Sequence, residues 1–381
     1  MKIAFVISGM GRGGGERVVS VFANQFTKLG NEVTIIITGK TDESVYDLHP
    51  EVKIINLHKW IESNPLKNDS MYLRLKKKLR KHFKAHDEFD RMFHDYQYLS
   101  KLLSAYLQKQ SSDYAISFLA YDNMSLALCS NKQKAKVIIC EGTYPDRPEY
   151  TEVFKKVRNK CYTYADVLVF QTEYQRDCFP KKIRKNSYII GNPIIGDLPI
   201  RNTIKREKTI VNFCRIDRPK NLFLLIDAFS EVAKEYPDYC LKIYGEGPLQ
   251  KDLQRRIIQL GLEGKAFLVS FDQSVHNIIK DCAMYVTTSD YEGLSNSQME
   301  AMAMGMPVIA TDCLGGGART LIKNGENGLL VPRGDKKSLV CAMKRYIEFP
   351  DYAEKCGKNA LTIREEYSVE SITDKWMSLM K

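Results

Sequence analysis

The chain has 381 residues, 44% of them hydrophobic and 27% charged, the proportions of a globular protein too long for one ordinary core. No run of about 18 apolar residues occurs, so no helix is expected to cross a membrane. The net charge of +11 is uneven. Residues 1–200 hold 31 Lys and Arg against 22 Asp and Glu, whereas residues 201–381 hold 26 against 24, so an anionic partner is expected for the first half: phosphates, nucleic acid or an anionic membrane face.

The first element, "KIAFVIS", reads as a buried strand. A signal peptide fits less well, because Arg12 and Glu16 follow among glycines with no small-residue cleavage site. Gly9, Gly11, Gly13, Gly14 and Gly15 then lie between strand and helix, where backbone N–H groups can approach an anion. The run is either a ligand loop or a tight turn. No Gly-Lys-Ser/Thr follows, and no acidic residue closes the second strand, so it is neither a Walker loop nor a full dinucleotide fingerprint. Val18, Val19, Phe22, Phe26 and Leu29 recur at helical spacing, and Gly30 is a stop signal. "EVTIIIT" and "VKIINL" read as the next strands.

Residues 71–85, "MYLRLKKKLRKHFKA", break the rhythm. Tyr72, Leu75, Leu79 and Phe83 line one helical face, with Arg74, Lys76, Lys77, Lys78, Arg80 and Lys81 around it. Such a helix either meets an anionic membrane surface or a pyrophosphate group, or is an ordinary helix with a solvated basic face. "YAISFL", "KVIIC", "DVLVFQ" and "YIIGN" follow as strands. A segment with Pro193, Pro199 and several charges then reads as a linker. The pattern restarts with "TIVNFCR", and "KNLFLLIDAFSEVAKEY" reads as its helix. "CLKIYGEG", "AFLVSF", "AMYVTTS", "MPVIAT" and "NGLLVP" are the remaining strands. Strands alternating with helices predict an α/β protein of two doubly wound, Rossmann-like domains, at 1–195 and 205–365. A helix within 366–381 could pack on either domain, including back on the N-terminal one. The ten cysteines form no CxxC pair, and most, such as Cys140, Cys214 and Cys282, lie in or beside apolar runs. Reduced, largely buried thiols are expected, with no disulfide framework and no metal site.

Two stretches carry chemistry. In "CRIDRPKN", Arg215 and Lys220 flank the exit of a strand, where two cations suit a diphosphate or form a plain surface pair. In "SDYEGLSNSQMEAMAMGMPVIAT", Glu292 sits in a loop after a strand and Glu300 lies about two turns into a helix that Gly305 ends. Carboxylates accept hydrogen bonds from vicinal hydroxyls, and the helix-start amides between the two suit a phosphate. The pair spans a nucleotide-sugar better than it makes an acid/base couple, unless both are incidental surface glutamates.

Those residues, with "GGG…LIKNGENGLLVP" after them, resemble the donor-site signature of the family 4 retaining glycosyltransferases of GT-B fold. "GGGERVVSVFANQFTKLGNEVTII", "IIGNPI", "CRIDRPKNLFLLIDAF" and "YGEGPLQKDL" are similar to further elements of that family in the same order. The resemblance implies two Rossmann-like domains facing each other across a cleft. It implies that Gly13 and Gly14 approach the diphosphate or acceptor, and that Arg215 and Lys220 neutralise the departing nucleoside diphosphate. It further assigns the donor sugar to Glu292, sugar and phosphate contacts to the amides of Gly293, Leu294, Ser295 and Asn296, and the ribose to Glu300. No metal or other cofactor is implied. Two positions depart from the pattern. Gly142 stands where the family has His, leaving Glu141, Tyr144 or Asp146 as stand-ins, and Thr320 stands where an acidic residue usually follows the Gly-Gly turn. The six histidines, including His276, fit no catalytic template.

The expected function is retaining transfer of a sugar from a nucleotide-sugar, UDP-linked by preference, to a hydroxyl of a glycan acceptor. The basic first half points to a lipid-pyrophosphate-linked acceptor, with peripheral association at the inner face of the cell membrane and a cytoplasmic location. The competing readings are a nucleotide-sugar-binding protein that has lost catalysis and a nucleic-acid-binding protein. The latter rests on a pI near 9.0 alone, with no nucleic-acid module in the sequence, so no nucleic-acid partner is expected.

Overall fold

The computed structural model describes residues 1–11, 13–40, 44–64, 88–130, 134–200, 206–272 and 274–380. The basic segment 71–85, with Arg74, Lys76, Lys77, Lys78, Arg80 and Lys81, lies outside the described residues. By internal contacts the chain divides into two units: Met1–Gly191 with Thr373–Lys381, and Asn192–Ile372.

In the first unit, β1 (Lys2–Ile7), β2 (Glu32–Ile37), β3 (Lys53–Asn56), β4 (Tyr114–Ser117), β5 (Lys136–Glu141), β6 (Val167–Phe170) and β7 (Ser187–Ile189) make one sheet, ordered β3-β2-β1-β4-β5-β6-β7. Every pairing is parallel, with Phe5 of β1 opposite Ile35 of β2 and Ile116 of β4. A parallel sheet is covered on both faces, which is why β1 reads as an unbroken apolar run with five of its six residues buried. The helix Gly14–Lys28 covers one face through Val18, Val19, Phe22 and Phe26. Gly30, at φ +81°, takes the left-handed conformation that closes it. The last helix, Val369–Leu379, is shared between the units, and from Thr373 onward it belongs to the first. There Trp376, 1% exposed, meets Phe22 edge-on at 5.4 Å and lies 5.5 Å from Phe118. Lys136 Nζ donates to the Leu379 carbonyl at 3.0 Å, and the Tyr114 hydroxyl donates to that of Met380.

The second unit holds β8 (Glu207–Phe213), β9 (Cys240–Tyr244), β10 (Ala266–Val269), β11 (Cys282–Thr287), β12 (Val308–Asp312) and β13 (Leu329–Pro332), ordered β10-β9-β8-β11-β12-β13 and again wholly parallel. All six residues of β11 are buried. Pro193–Ile200, read from sequence as linker, packs on this unit. The Ile194 N–H donates to the Tyr367 carbonyl at 2.7 Å, and Arg364 donates to the Leu198 carbonyl at 3.1 Å. All thirteen expected strands form, and all ten cysteines are free thiols. In each sheet the strand order reverses once, between β1 and β4 and between β8 and β11. In doubly wound folds the crevice at the carboxyl ends of such a strand pair is where ligands bind.

Candidate active site

In the second unit, the loops leaving β8 and β11 carry the residues singled out from sequence. The first runs from Cys214 to a short 3₁₀ turn at Arg218–Lys220, and Asn221 follows at φ +44°. This left-handed conformation is rare for a side chain other than Gly, and Asn is among the residues that tolerate it best. The second loop holds it in place: Asn221 Nδ2 donates to Asp290 Oδ1 at 3.1 Å, and the Thr288 hydroxyl lies 3.0 Å from the carbonyls of Lys220 and Asn221. The turn thereby delivers Lys220 Nζ onto Glu292 Oε1, which also accepts from the Ser289 hydroxyl at 3.2 Å. The side chains of Lys220 and Glu292 are 19% and 20% exposed. Burial works against the Lys220 charge, but the Glu292 carboxylate, with a smaller contribution from Cys214, outweighs it and holds Lys220 well above the ordinary lysine range. Arg215 is exposed and folds onto Asp217 Oδ2 through Nε and NH2, at 2.7 and 2.6 Å.

Glu292 leads through Gly293, Leu294 and the N-cap Ser295 into the helix Asn296–Ala303. Ser295 makes no side-chain cap, and the first turn has no acidic residue, so the positive end of the helix is not offset by its own side chains. Close backbone packing positions this loop. A Cβ on Gly317, at the start of the helix Gly317–Leu321, would lie 1.7 Å from the Gly293 carbonyl oxygen. On the other loop, a Cβ on Gly245 would lie 1.9 Å from Cys214 O, and one on Gly247 would lie 2.1 Å from Ile216 O. Gly245 and Gly247 of "YGEGP" and Gly317 of "GGGAR" are therefore required by backbone approach. Thr320, at the usual acidic position, donates its hydroxyl back to the Gly316 carbonyl at 2.8 Å.

Glu300, in the second turn of the helix, is 3% exposed, and its Oε2 lies 2.8 Å from His276 Nε2. His276 is thus a residue that sequence reading passed over. It comes from the helix Val275–Ile279 after β10, and its ring stands edge-on to Phe213 at 5.5 Å. Among the described residues no group of three His, Cys, Asp or Glu could hold a metal ion.

In the first unit the glycine run follows β1. Gly13 is the N-cap of its helix, Gly14 the first helical residue, and the Gly13 carbonyl accepts from the Tyr46 hydroxyl at 2.9 Å. Asp122, also unnoticed in the sequence, joins the ends of β1 and β2. It accepts from the Ser8 N–H and from the Thr38 hydroxyl, both at 2.9 Å, and burial pushes its carboxyl up to about 6. At the end of β5, Glu141 is 2% exposed and accepts from the Tyr162 hydroxyl at 2.8 Å and that of Thr143 at 3.4 Å. Burial raises its pKa, with Arg158, Tyr162 and Thr143 opposing. A Cβ on Gly142 would have only ordinary contacts, with Gln171 at 3.4 Å and Phe118 at 3.5 Å. Tyr144 and Asp146 are partly exposed; Asp146 lies 3.9 Å from the guanidinium of the buried Arg158.

The structure thus has two parallel Rossmann-like units, one of which carries a cation–carboxylate pair and a helix start at its strand-order reversal. Residues 197–362, which lie within the second unit, match the model of the family described as glycosyl transferases group 1, and the likeness of the whole chain to the solved structures below shows the GT-B fold. An uncharacterized glycosyltransferase of Haemophilus influenzae is 25% identical, with 100% of this chain and 99% of the relative covered. A Campylobacter jejuni α-1,4-N-acetyl-D-galactosaminyltransferase, named for a diNAcBac-PP-undecaprenol-linked substrate, is 22% identical over 100% of this chain and 98% of its own. Among solved structures, Anabaena HepE in complex with UDP superposes with a TM-score of 0.77 at 16% identity, over 100% of this chain and 99% of that one. S. aureus TarM, in complex with fondaparinux, α-GlcNAc-glycerol and UDP, gives 0.74 at 18% identity over 100% and 99%.

Proposed function

We propose that the chain transfers a sugar from a UDP-linked donor to a hydroxyl of a lipid-pyrophosphate-linked glycan, with retention of anomeric configuration and without a metal, in cell-surface polysaccharide assembly. The observation that carries this reading is the Lys220–Glu292 pair beside the start of the helix Asn296–Ala303. Lys220, Arg215 and the amides of Gly293, Leu294, Ser295 and Asn296 meet the diphosphate and stabilise its charge as the glycosidic bond breaks. Glu292 takes hydroxyls of the sugar, and Glu300 those of the ribose. Retention follows from attack on the face of the departing phosphate, one of whose oxygens takes the acceptor proton. The acceptor assignment draws on the excess positive charge of residues 1–200 and on the undecaprenyl-linked substrates named for the Campylobacter relatives. The residues 71–85 add peripheral association with an anionic membrane at its inner, cytoplasmic face. Gly142 favours a second reading, nucleotide-sugar binding without turnover.

The test is a calorimetric screen of nucleotide-sugars followed by turnover with the donor that binds, with and without EDTA. The α- or β-configuration of the product is read by NMR against that of the donor. Binding of a UDP-sugar, EDTA-insensitive transfer and an unchanged anomer are expected. Binding without transfer to any lipid-pyrophosphate glycan supports the second reading; no binding refutes both. Removing residues 71–85 should release the protein from anionic vesicles, and retention there refutes the membrane assignment.

A further inference from the structure

We infer that His276 is a positioning residue for the nucleotide: it fixes the direction of the Glu300 carboxylate and so sets the enzyme's preference for a ribose bearing hydroxyls. This rests on the reading of Glu300 as the ribose-binding group. The terminal torsion of a glutamate is broad and does not orient its own oxygens. A carboxylate that must hold two vicinal hydroxyls therefore needs an anchor outside the ligand. His276 Nε2 supplies one, 2.8 Å from Oε2 of a Glu300 that is only 3% exposed. The imidazole is itself held: its ring is perpendicular to Phe213 at 87°, and Phe213 packs on Tyr285 with ring centroids 5.1 Å apart. Tyr285 in turn donates its hydroxyl to Ser297 Oγ at 3.0 Å, in the first turn of the helix that carries Glu300. One aromatic stack thus ties the anchor, the helix start and the end of β8 together. Phe213 lies two residues before Arg215, so the same stack borders the loop assigned to the diphosphate. A locked supporting residue behind a ligand-binding group is what accurate placement requires.

The experiment measures the affinity of the full chain for UDP and for 2′,3′-dideoxy-UDP by calorimetry, in the wild type, His276→Phe and His276→Gln. Gln carries its amide nitrogen near the place of Nε2, whereas Phe keeps the packing on Phe213 and removes the donor. The wild type should prefer UDP. His276→Phe should weaken UDP binding roughly tenfold, the usual worth of a hydrogen bond to a charged group, and leave dideoxy-UDP within about twofold. His276→Gln should recover most of the ribose preference. In turnover, the loss should fall on KM for the donor more than on kcat. If the wild type does not distinguish the two nucleotides, the ribose reading of Glu300 fails. If it does and His276→Phe distinguishes them equally well, or weakens both alike while His276→Gln does the same, the positioning role fails. Should His276→Phe not fold, His276→Leu takes its place as the variant without a donor: preference lost there and recovered in His276→Gln supports the inference, and preference kept in His276→Leu overturns it.

Discussion

Gly317→Ala would add one methyl group at the most crowded backbone approach beside the proposed donor site. The new Cβ would sit 1.7 Å from Gly293 O, 2.6 Å from Gly293 C and 3.2 Å from Leu294 Cα. Both neighbours are main chain, so no side chain can swing aside. Restoring van der Waals contact requires the Gly293 carbonyl and the start of the helix Gly317–Leu321 to separate by about 1.5 Å. The Glu292 N–H donates to Leu314 O at 2.9 Å, and Leu314 N–H to Asp290 O at 3.1 Å, so the whole turn bearing Glu292 shifts with it. A misplacement of about 1 Å at a reacting centre costs on the order of 100-fold. The expected result is a roughly 100-fold fall in kcat/KM for the UDP-sugar, with weaker UDP binding by calorimetry. Gly264→Ala is the control: its φ of +77° strains any side chain, yet nothing lies within 4 Å of the added Cβ. It should cost about 1 kcal/mol of stability and leave the kinetics alone. If Gly317→Ala keeps kcat/KM within about threefold of the wild type, the Glu292–Asn296 turn is not at the reacting centre and the site assignment fails.

Lys220→Met should lower kcat by roughly 100- to 1000-fold, the range found when one preorganised charge-stabilising group is removed. A loss below about tenfold in steady-state turnover would place the developing negative charge elsewhere. Asp122 predicts a pH dependence. Burial holds its carboxyl at about 6, above the ordinary 3.8, so the folded state takes up this proton before the unfolded chain does. The stability it contributes is fully present below about pH 4 and is lost as pH rises through 6, on the order of 2–3 kcal/mol in total. The difference in Tm between wild type and Asp122→Asn should therefore shift against the wild type from pH 4 to 6 and level off above; a constant difference would refute it.

The strands were legible because parallel strands covered on both faces are written as unbroken apolar runs, and β1 and β11 are examples. Arg215, Lys220 and Glu292 could be singled out because strand exits in such folds are where ligands bind, and the structure places all three in the loops that follow β8 and β11. Gly317 could be read as a turn residue but not as a contact of Gly293, since 24 residues separate the two. His276 and Asp122 were invisible for the same reason. Each acts on a partner brought to it by strand order: Glu300 from the helix after β11, and Ser8, 114 residues away, from the end of β1. No local periodicity encodes such a pairing. Residues 193–200 of the linker segment pack on the second unit; prolines and charges mark irregular backbone, which is as compatible with packing on a domain as with linking two.

The seating of Trp376 between Phe22 and Phe118 has a practical bearing on dissecting the molecule. A fragment that stops at Gly191 would leave those two rings facing water, about 3 kcal/mol or more of lost apolar cover, and would be prone to clump. Studying the front half by itself therefore calls for grafting residues 373–380 back onto it.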